Sequence, residues 1–417
     1  MSGGGGAGRG RLAAALVAVL ASYWLAALAP APAAALAPPG LSVRAAVLVA
    51  EGTGQQLYGS DQNEELPIAS TTKLMTALVT LEHVRHLDQV FVAPDYYAAS
   101  EDSQIGLVPG DRMTVHDLML AIMLPSADDA AEDLAYNVGG GSVGRFVGMM
   151  NAEARALGLT HTHYSTPVGL DTPGNYSTAS DLVKLATYEL EHNRFFAHIV
   201  ALPSATLDTG PVHYVVNRND LVARYPWIVG VKTGHTSGAG YVLVAAGEQH
   251  GMTLLSAVLG TSSEAARDAN TMALLDWGFA NFHLVTPVHA GQVLARPAVT
   301  DRPGVHATVI AASTFGKVVQ NGLAVTLRVV VPHELKGPLK RHAVVGYVLV
   351  RSGGQTLARI PLLLAHRLLA VSSLTLAARF ITRPFTLLMV LVLVALAAGL
   401  IVRHRSSARM RGGIQLR

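Results

Sequence analysis

Apolar residues are not spread evenly along the chain. They form two long runs near its ends, with short periodic patches between. Residues 12–28 make one run and residues 384–402 the other, the latter nineteen positions without a charge. At about 1.5 Å per residue, a helix over the second run is about 28 Å long, close to the hydrocarbon thickness of a bilayer. Inside these limits, LSVRAAVLV at 42–50 reads as a β-strand, and EGTGQQLYGS turns into a second short strand that ends near Pro67. From residue 70 to 83 helical spacing takes over, with Leu74, Ala77, Leu78 and Leu81 on one stripe. Further helices are expected over 115–123, 128–138, 143–157 and 178–189. The tract Gly139, Gly140, Gly141 and Ser142 separates two of them; no Gly-Lys-Ser/Thr follows, so it reads as a helix stop rather than a phosphate loop. After Arg224 come the strand-like segments YPWIVGVKTG, AGYVLVAAG and MTLLSAVLG, whose short glycine-bearing connections favour antiparallel hairpins. A helix over 264–281 follows. Strands on either side of a helical block describe one sheet with helices packed on it, an α/β or α+β domain spanning 38–283.

Beyond residue 284 helical periodicity gives way to HATVIAA, LAVTLRVVV, AVVGYVLVR and TLARIPLLL, a small β-rich domain over 284–366 suited to a spacer or contact role. Residues 367–383 are either a linker or an interfacial helix whose apolar stripe is Leu368, Val371, Leu374, Ala378 and Ile381. The ends then change the meaning of the composition. Residues 1–37 carry Arg9 and Arg11, no acid, the apolar run, and a small-residue stretch at 33–37; they read as a secretory signal peptide cleaved after Ala37, with an uncleaved anchor as the alternative. Residues 384–402 read as a transmembrane helix. The tail 403–417, with five arginines and no acid, reads as its cytoplasmic flank.

The formal net charge is +3, half of all residues are hydrophobic and 14% are charged. Two arginines precede residue 38 and five follow residue 402, so taking them away leaves −4 for the body between, and no reason to expect a nucleic-acid partner. The absence of cysteine excludes a disulfide scaffold, a cysteine nucleophile and a thiolate metal site. Of 17 histidines, His161 and His163 form an H-x-H, but no spaced third ligand accompanies them, so no metal is expected.

Three short motifs carry candidate chemistry. In Ser70-Thr71-Thr72-Lys73 the serine and lysine stand three residues apart and share a helix face, which lets Lys73 approach the Ser70 hydroxyl and take its proton. The same spacing also fits a capping serine with a solvated lysine. Pro125-Ser126-Ala127-Asp128-Asp129 precedes an apolar helix, where Ser126 or Asp129 could equally be a cap. Lys232-Thr233-Gly234 lies on a strand whose alternation puts Ile228, Gly230, Lys232 and Gly234 on one nearly side-chain-free face, open to a substrate backbone or an anion; a hairpin with an exposed lysine is the bland reading. Each is weak alone. Ser-x-x-Lys, Ser-x-Asp/Asn and Lys-Thr-Gly, in this order and well separated, match the active-site set of penicillin-recognising serine enzymes.

With these motifs, and with PIASTTKLMTALV, VPGDRMTVHDLM, LPSADDAAEDLA, GLDTPGNYSTASDL, GVKTGHTSGAGYVLVAAG and LLDWGF, the chain resembles the serine-type D-alanyl-D-alanine carboxypeptidases, low-molecular-mass penicillin-binding proteins. The resemblance implies a penicillin-binding/β-lactamase-like transpeptidase fold with a second small all-β domain and a C-terminal transmembrane helix. It implies removal of the terminal D-alanine from peptidoglycan stem pentapeptides through an acyl-serine, with no cofactor, and acylation of the same serine by β-lactams. By resemblance Ser70 is the nucleophile, Lys73 its base and Ser126 a proton relay. Lys232, Thr233 and Gly234 hold the substrate, and the backbone N–H groups of Ser70 and His235 form the oxyanion hole. Arg267 contacts the substrate carboxylate; without the resemblance it reads as a surface charge. The enzyme would sit on the outer face of the cytoplasmic membrane.

Asp128 departs from the pattern, since the family usually has asparagine there. An ionised aspartate only accepts hydrogen bonds, and beside Lys73 it favours the ammonium form over the free amine. It is therefore expected to weaken or retune turnover without abolishing acylation. The competing readings are a catalytically impaired wall-binding protein, on the strength of Asp128, and a D,D-endopeptidase of the same family. A class A β-lactamase is disfavoured, for no counterpart of its deacylating glutamate loop is evident.

Overall fold

A computed structural model describes residues 37–99, 102–300, 302–372, 377, 380 and 384–411. The expected signal peptide, except Ala37, and most of the expected linker or interfacial helix lie outside the described residues. The chain separates into two compact units. The first holds the described residues up to Val285 together with Lys317–Leu323, and the second holds Thr286–Gly316 and the chain from Ala324 onward.

The first unit is built on a five-stranded antiparallel sheet of β1 (Ala45–Ala50), β2 (Gln55–Ser60), β3 (Ile228–Thr236), β4 (Gly240–Gln249) and β5 (Met252–Thr261), in the order β2-β1-β5-β4-β3. The unbroken apolar runs of β1, β4 and β5 have a direct cause, which is burial on both faces. Ala45 and Val47 enter one core while Ala46, Leu48 and Ala50 enter another. In β4, Val242, Val244 and Ala246 join the first, and Leu243 and Ala245 the second. The first core is closed by helices α1 (Lys73–His83), α2 (Val115–Met123), α3 (Asp128–Val138), α4 (Val143–Ala156) and α5 (Ala179–His192). The second is closed by α6 (Glu264–Asn281), through Leu274 and Leu275. The expected alternation of β3 holds only in part, because a register irregularity falls between Ile228 and Gly230.

The helical layer also carries acids whose titration burial shifts but which do not line the cavity described below. Glu189 on α5 is buried, and neither of its carboxylate oxygens has a hydrogen-bond partner. Burial, and after it the charge of Glu82, push its carboxyl well above the ordinary value. Burial likewise pushes Glu132 and Asp133 on α3 up to about 7. A carboxyl raised in the folded state stabilises fully below its unfolded pKa, and that contribution is lost as pH rises through the folded one. The difference in melting temperature between Glu189→Gln and wild type is therefore expected to grow in the variant's favour as pH rises above about 4.5. A difference that does not change with pH would contradict the assignment.

In the second unit a five-stranded antiparallel sheet is formed by β6 (Val293–Ala295), β7 (Val309–Ala311), β8 (Val325–Val330), β9 (Val344–Ser352) and β10 (Gln355–Leu364), ordered β6-β7-β10-β9-β8. Val309, Val348, Val350, Ile360, Leu362 and Leu364 fill its core. Helix α7 (Pro384–Arg411) ends the described chain. Its stretch Pro384–Ser406 contains an eighteen-residue window of mean hydropathy 3.0 and is long and apolar enough to cross a bilayer, with side chains such as Leu391 and Leu400 exposed.

Candidate active site

The nucleophile motif does not start a regular α-helix. Ala69–Thr72 form one 3-10 turn, and α1 begins only at Lys73. Ala69 has a left-handed φ of 49°, which a residue with a Cβ adopts only when its surroundings impose it. Lys73, one turn on, is completely buried, so the picture of a capping serine with a solvated lysine does not hold. Its Nζ donates to Ser70 Oγ (3.0 Å), to Asp128 Oδ1 (2.5 Å) and to the carbonyl oxygen of Val168 (2.9 Å). An ammonium group has three protons to donate, and here each has an acceptor.

Ser126 stands where α2 turns into α3. Its φ is 69°, again left-handed, and its buried Oγ has no hydrogen-bond partner. The cap of α3 is Ala127, which makes no side-chain cap bond, so Ser126 is not a cap. Asp129 does accept from Ala130 N (2.9 Å), but its main partners are elsewhere. Its carboxylate also takes the backbone N–H groups of Ile105 (3.1 Å), Gly106 (2.8 Å) and Leu107 (2.9 Å). That grip fixes the loop whose Ser103 carbonyl receives Asp128 N–H at 2.6 Å.

From β3, Lys232 is also buried, and its Nζ donates to the Thr233 carbonyl at 3.1 Å. It is not the exposed lysine of a plain hairpin. Burial first, then the charges of Lys73 and Arg218, push its amine well below the ordinary lysine value. Thr233, Gly234 and His235 line a cavity of about 290 Å³ together with Ser70, Ser103, Ser126, Arg218, Tyr241, Glu264 and Arg267. The structure thus gathers every sequence-predicted residue in one place, Ser70, Ser126, Thr233, Gly234, His235 and Arg267 at the cavity wall and Lys73, Asp128 and Lys232 buried behind it.

Arg267 lies inside α6, buried rather than on the surface. Its guanidinium is held by Asp268 Oδ1 (2.8 Å) and Glu264 Oε1 (2.9 Å). Arg218, Ser103, Tyr241 and Glu264 were not anticipated. Ser103 and Arg218 come from loops with no motif around them, Tyr241 from β4 and Glu264 from the first turn of α6; Arg218 is brought in by its backbone N–H bonding Leu124 O (3.0 Å), next to the Ser126 turn. Among the described residues no group of three or more His, Cys, Asp or Glu is placed to hold a metal. His161 pairs with Glu65, and His163 with the Gly174 carbonyl.

The buried Lys73–Asp128 pair dominates the electrostatics. Burial pushes Lys73 down and Asp128 up, and the attraction between the two opposes both shifts. Removing the carboxylate while keeping the shape lowers the lysine further. Asp128→Asn is therefore expected to move the acid limb of the pH–acylation profile to lower pH and to raise the rate near pH 6–7 by roughly 3–10-fold. Stopped-flow acylation across pH checks it; an unmoved limb would show that Asp128 does not govern the amine.

A serine bonded to a buried amine, a second hydroxyl facing the same space and a cationic rim are the parts of an acyl-transfer site. Comparison with known proteins agrees. The family model described as D-alanyl-D-alanine carboxypeptidase matches residues 32–263. The chain is 32% identical over 360 residues to the D-alanyl-D-alanine carboxypeptidase DacC of Escherichia coli, covering 78% of this chain and 84% of that one. It is 40% identical over 235 residues to DacB2 of Mycobacterium tuberculosis, covering 55% and 79%. Among solved structures it is similar to penicillin binding protein 5 from Haemophilus influenzae, with TM-score 0.67 and 26% identity over 80% of this chain and 99% of that one. The chain belongs to the D-alanyl-D-alanine carboxypeptidase family, the serine-type peptidases among the low-molecular-mass penicillin-binding proteins.

Proposed function

We propose that the protein removes the terminal D-alanine from peptidoglycan stem peptides through an acyl-enzyme on Ser70, and that penicillins acylate the same oxygen. The observation that carries this is the 3.0 Å hydrogen bond from fully buried Lys73 to Ser70 Oγ at the wall of the cavity. As the amine takes the Ser70 proton, the oxygen attacks the penultimate D-alanine carbonyl. The N–H groups of Ser70 and His235 receive the oxyanion. Ser126, whose hydroxyl is otherwise unengaged, passes a proton to the leaving amine. The substrate's terminal carboxylate is met by Thr233 and by the cations Arg218 and Arg267 at the cavity wall, with the Lys232 amine as a hydrogen-bond donor behind them. Water then repeats the sequence on the ester. Residues 1–37 direct export, and residues 384–402 anchor the enzyme, with its basic tail inside and the catalytic unit on the outer face of the membrane.

The test is D-alanine release from a pentapeptide analogue by the full chain, alongside labelling with a fluorescent penicillin and Ser70→Ala as the blank. Wild-type protein that takes no label overturns the reading. One observation favours a second outcome: the 2.5 Å contact of Asp128 with the base fits a protein that acylates but turns over slowly. Label without measurable D-alanine release would identify it.

A further inference from the structure

Segment 166–172 crosses the Ser70 turn, and it and the residue just beyond are fastened to that turn and to the start of α1. Thr76 Oγ1 donates to the Pro167 carbonyl (2.6 Å), Lys73 Nζ to that of Val168 (2.9 Å), and Asn175, just beyond, donates to Thr72 Oγ1 (3.2 Å). One residue of the segment reaches the end of β3 and the turn after it. Asp171 accepts the Thr236 hydroxyl on Oδ1 (2.6 Å) and the Gly238 N–H on Oδ2 (2.8 Å), while Thr236 Oγ1 itself receives Ala239 N–H (3.1 Å). The carboxylate lies flat on this turn only because Gly238 has no Cβ; one there would come within 2.9 Å of Oδ2. Thr236 follows directly on Lys232, Thr233, Gly234 and His235.

We propose that Asp171 is a positioning residue for acylation. By joining the segment that holds the Lys73 amine to the turn that ends β3, it keeps the His235 N–H at its working distance from Ser70. The proposal rests on the roles given above to Ser70, Lys73 and His235. The carboxylate is exposed and touches neither substrate nor reacting atoms, so it acts only through what it aligns. A misplacement of about 1 Å at a reacting group lowers rates by up to about 100-fold, and a loosened but still paired strand should give less.

The test uses the full chain and the variants Asp171→Ala, Asp171→Asn, Thr236→Ala and the double alanine. Fluorescent-penicillin acylation, kcat and KM for D-alanine release, and Tm are measured on each. Asp171→Ala is expected to slow acylation and lower kcat by about tenfold, with KM changed by less than about twofold. Its Tm should stay within about 3 °C, as expected for an exposed group. Asp171→Asn, which keeps an acceptor for the Thr236 hydroxyl, should recover part of the loss, and the double variant should be no slower than Asp171→Ala alone. An unchanged rate, an asparagine no better than alanine, or additive single effects each overturn the proposal. A wild type that neither labels nor releases D-alanine overturns the catalytic reading itself; active wild type with an indifferent Asp171→Ala overturns this inference alone.

Discussion

Lys73→Met is expected to slow acylation of Ser70 by at least about a thousandfold, within the range removed with a general base, while Ser70→Ala abolishes it at every pH. Methionine fills nearly the same space in a position with no solvent exposure, so packing survives and the amine alone is lost. The variant also strands the Asp128 carboxylate in its buried place. Breaking one partner of such a pair destabilises by about 3–5 kcal/mol. Lys73→Met with Asp128→Asn should therefore regain stability without regaining activity. Stopped-flow acylation and denaturant melts separate the two effects: an active double variant would mean that Lys73 served only as Asp128's counter-charge.

Gly169→Ala should be the most damaging small substitution in the catalytic unit. Gly169 has φ of +96°, and a Cβ there would overlap the Ala69 carbonyl oxygen and come within 2.8 Å of Thr72 Oγ1. The neighbour is backbone, and it belongs to the turn carrying Ser70, so it cannot step aside cheaply. Steric overpacking of about 1–3 kcal/mol adds to backbone strain of about 1–3 kcal/mol. A loss of about 3–5 kcal/mol is expected in chemical denaturation, together with a fall in penicillin acylation measured below the melting transition. A variant as stable and as reactive as wild type would show that segment 166–172 does not bear on the turn.

How far the sequence alone reaches is uneven, and the reasons are physical. Ser70 and Lys73 were readable because three residues of helix-like chain put them on one face, whether the turn is 3-10 or α. The sheet was readable because strands buried on both faces, such as AAVLVA in β1, leave an unbroken apolar run. Ser126 was legible only through its company, since its left-handed backbone leaves no trace in the sequence. Arg218 and Ser103 reach the cavity on loops whose course is set by hydrogen bonds to distant parts of the chain, and no periodicity marks those. The opposite held for Asp129, which reads as a cap but spends most of its carboxylate on the N–H groups of residues 105–107, more than twenty positions upstream. The departure at Asp128 was visible at once. Its consequence was not, because it depends on the contact with Lys73 and on the burial of both groups.

In the proposed mechanism the Lys73–Asp128 pair also sets a clock. There the amine that frees the Ser70 oxygen must later help water release the acyl group, so whatever holds that amine charged lengthens the life of the adduct as well as delaying its formation. For an inhibitor bound as an ester on Ser70, residence time then replaces affinity as the quantity that matters, and occupancy persists after the free drug has gone.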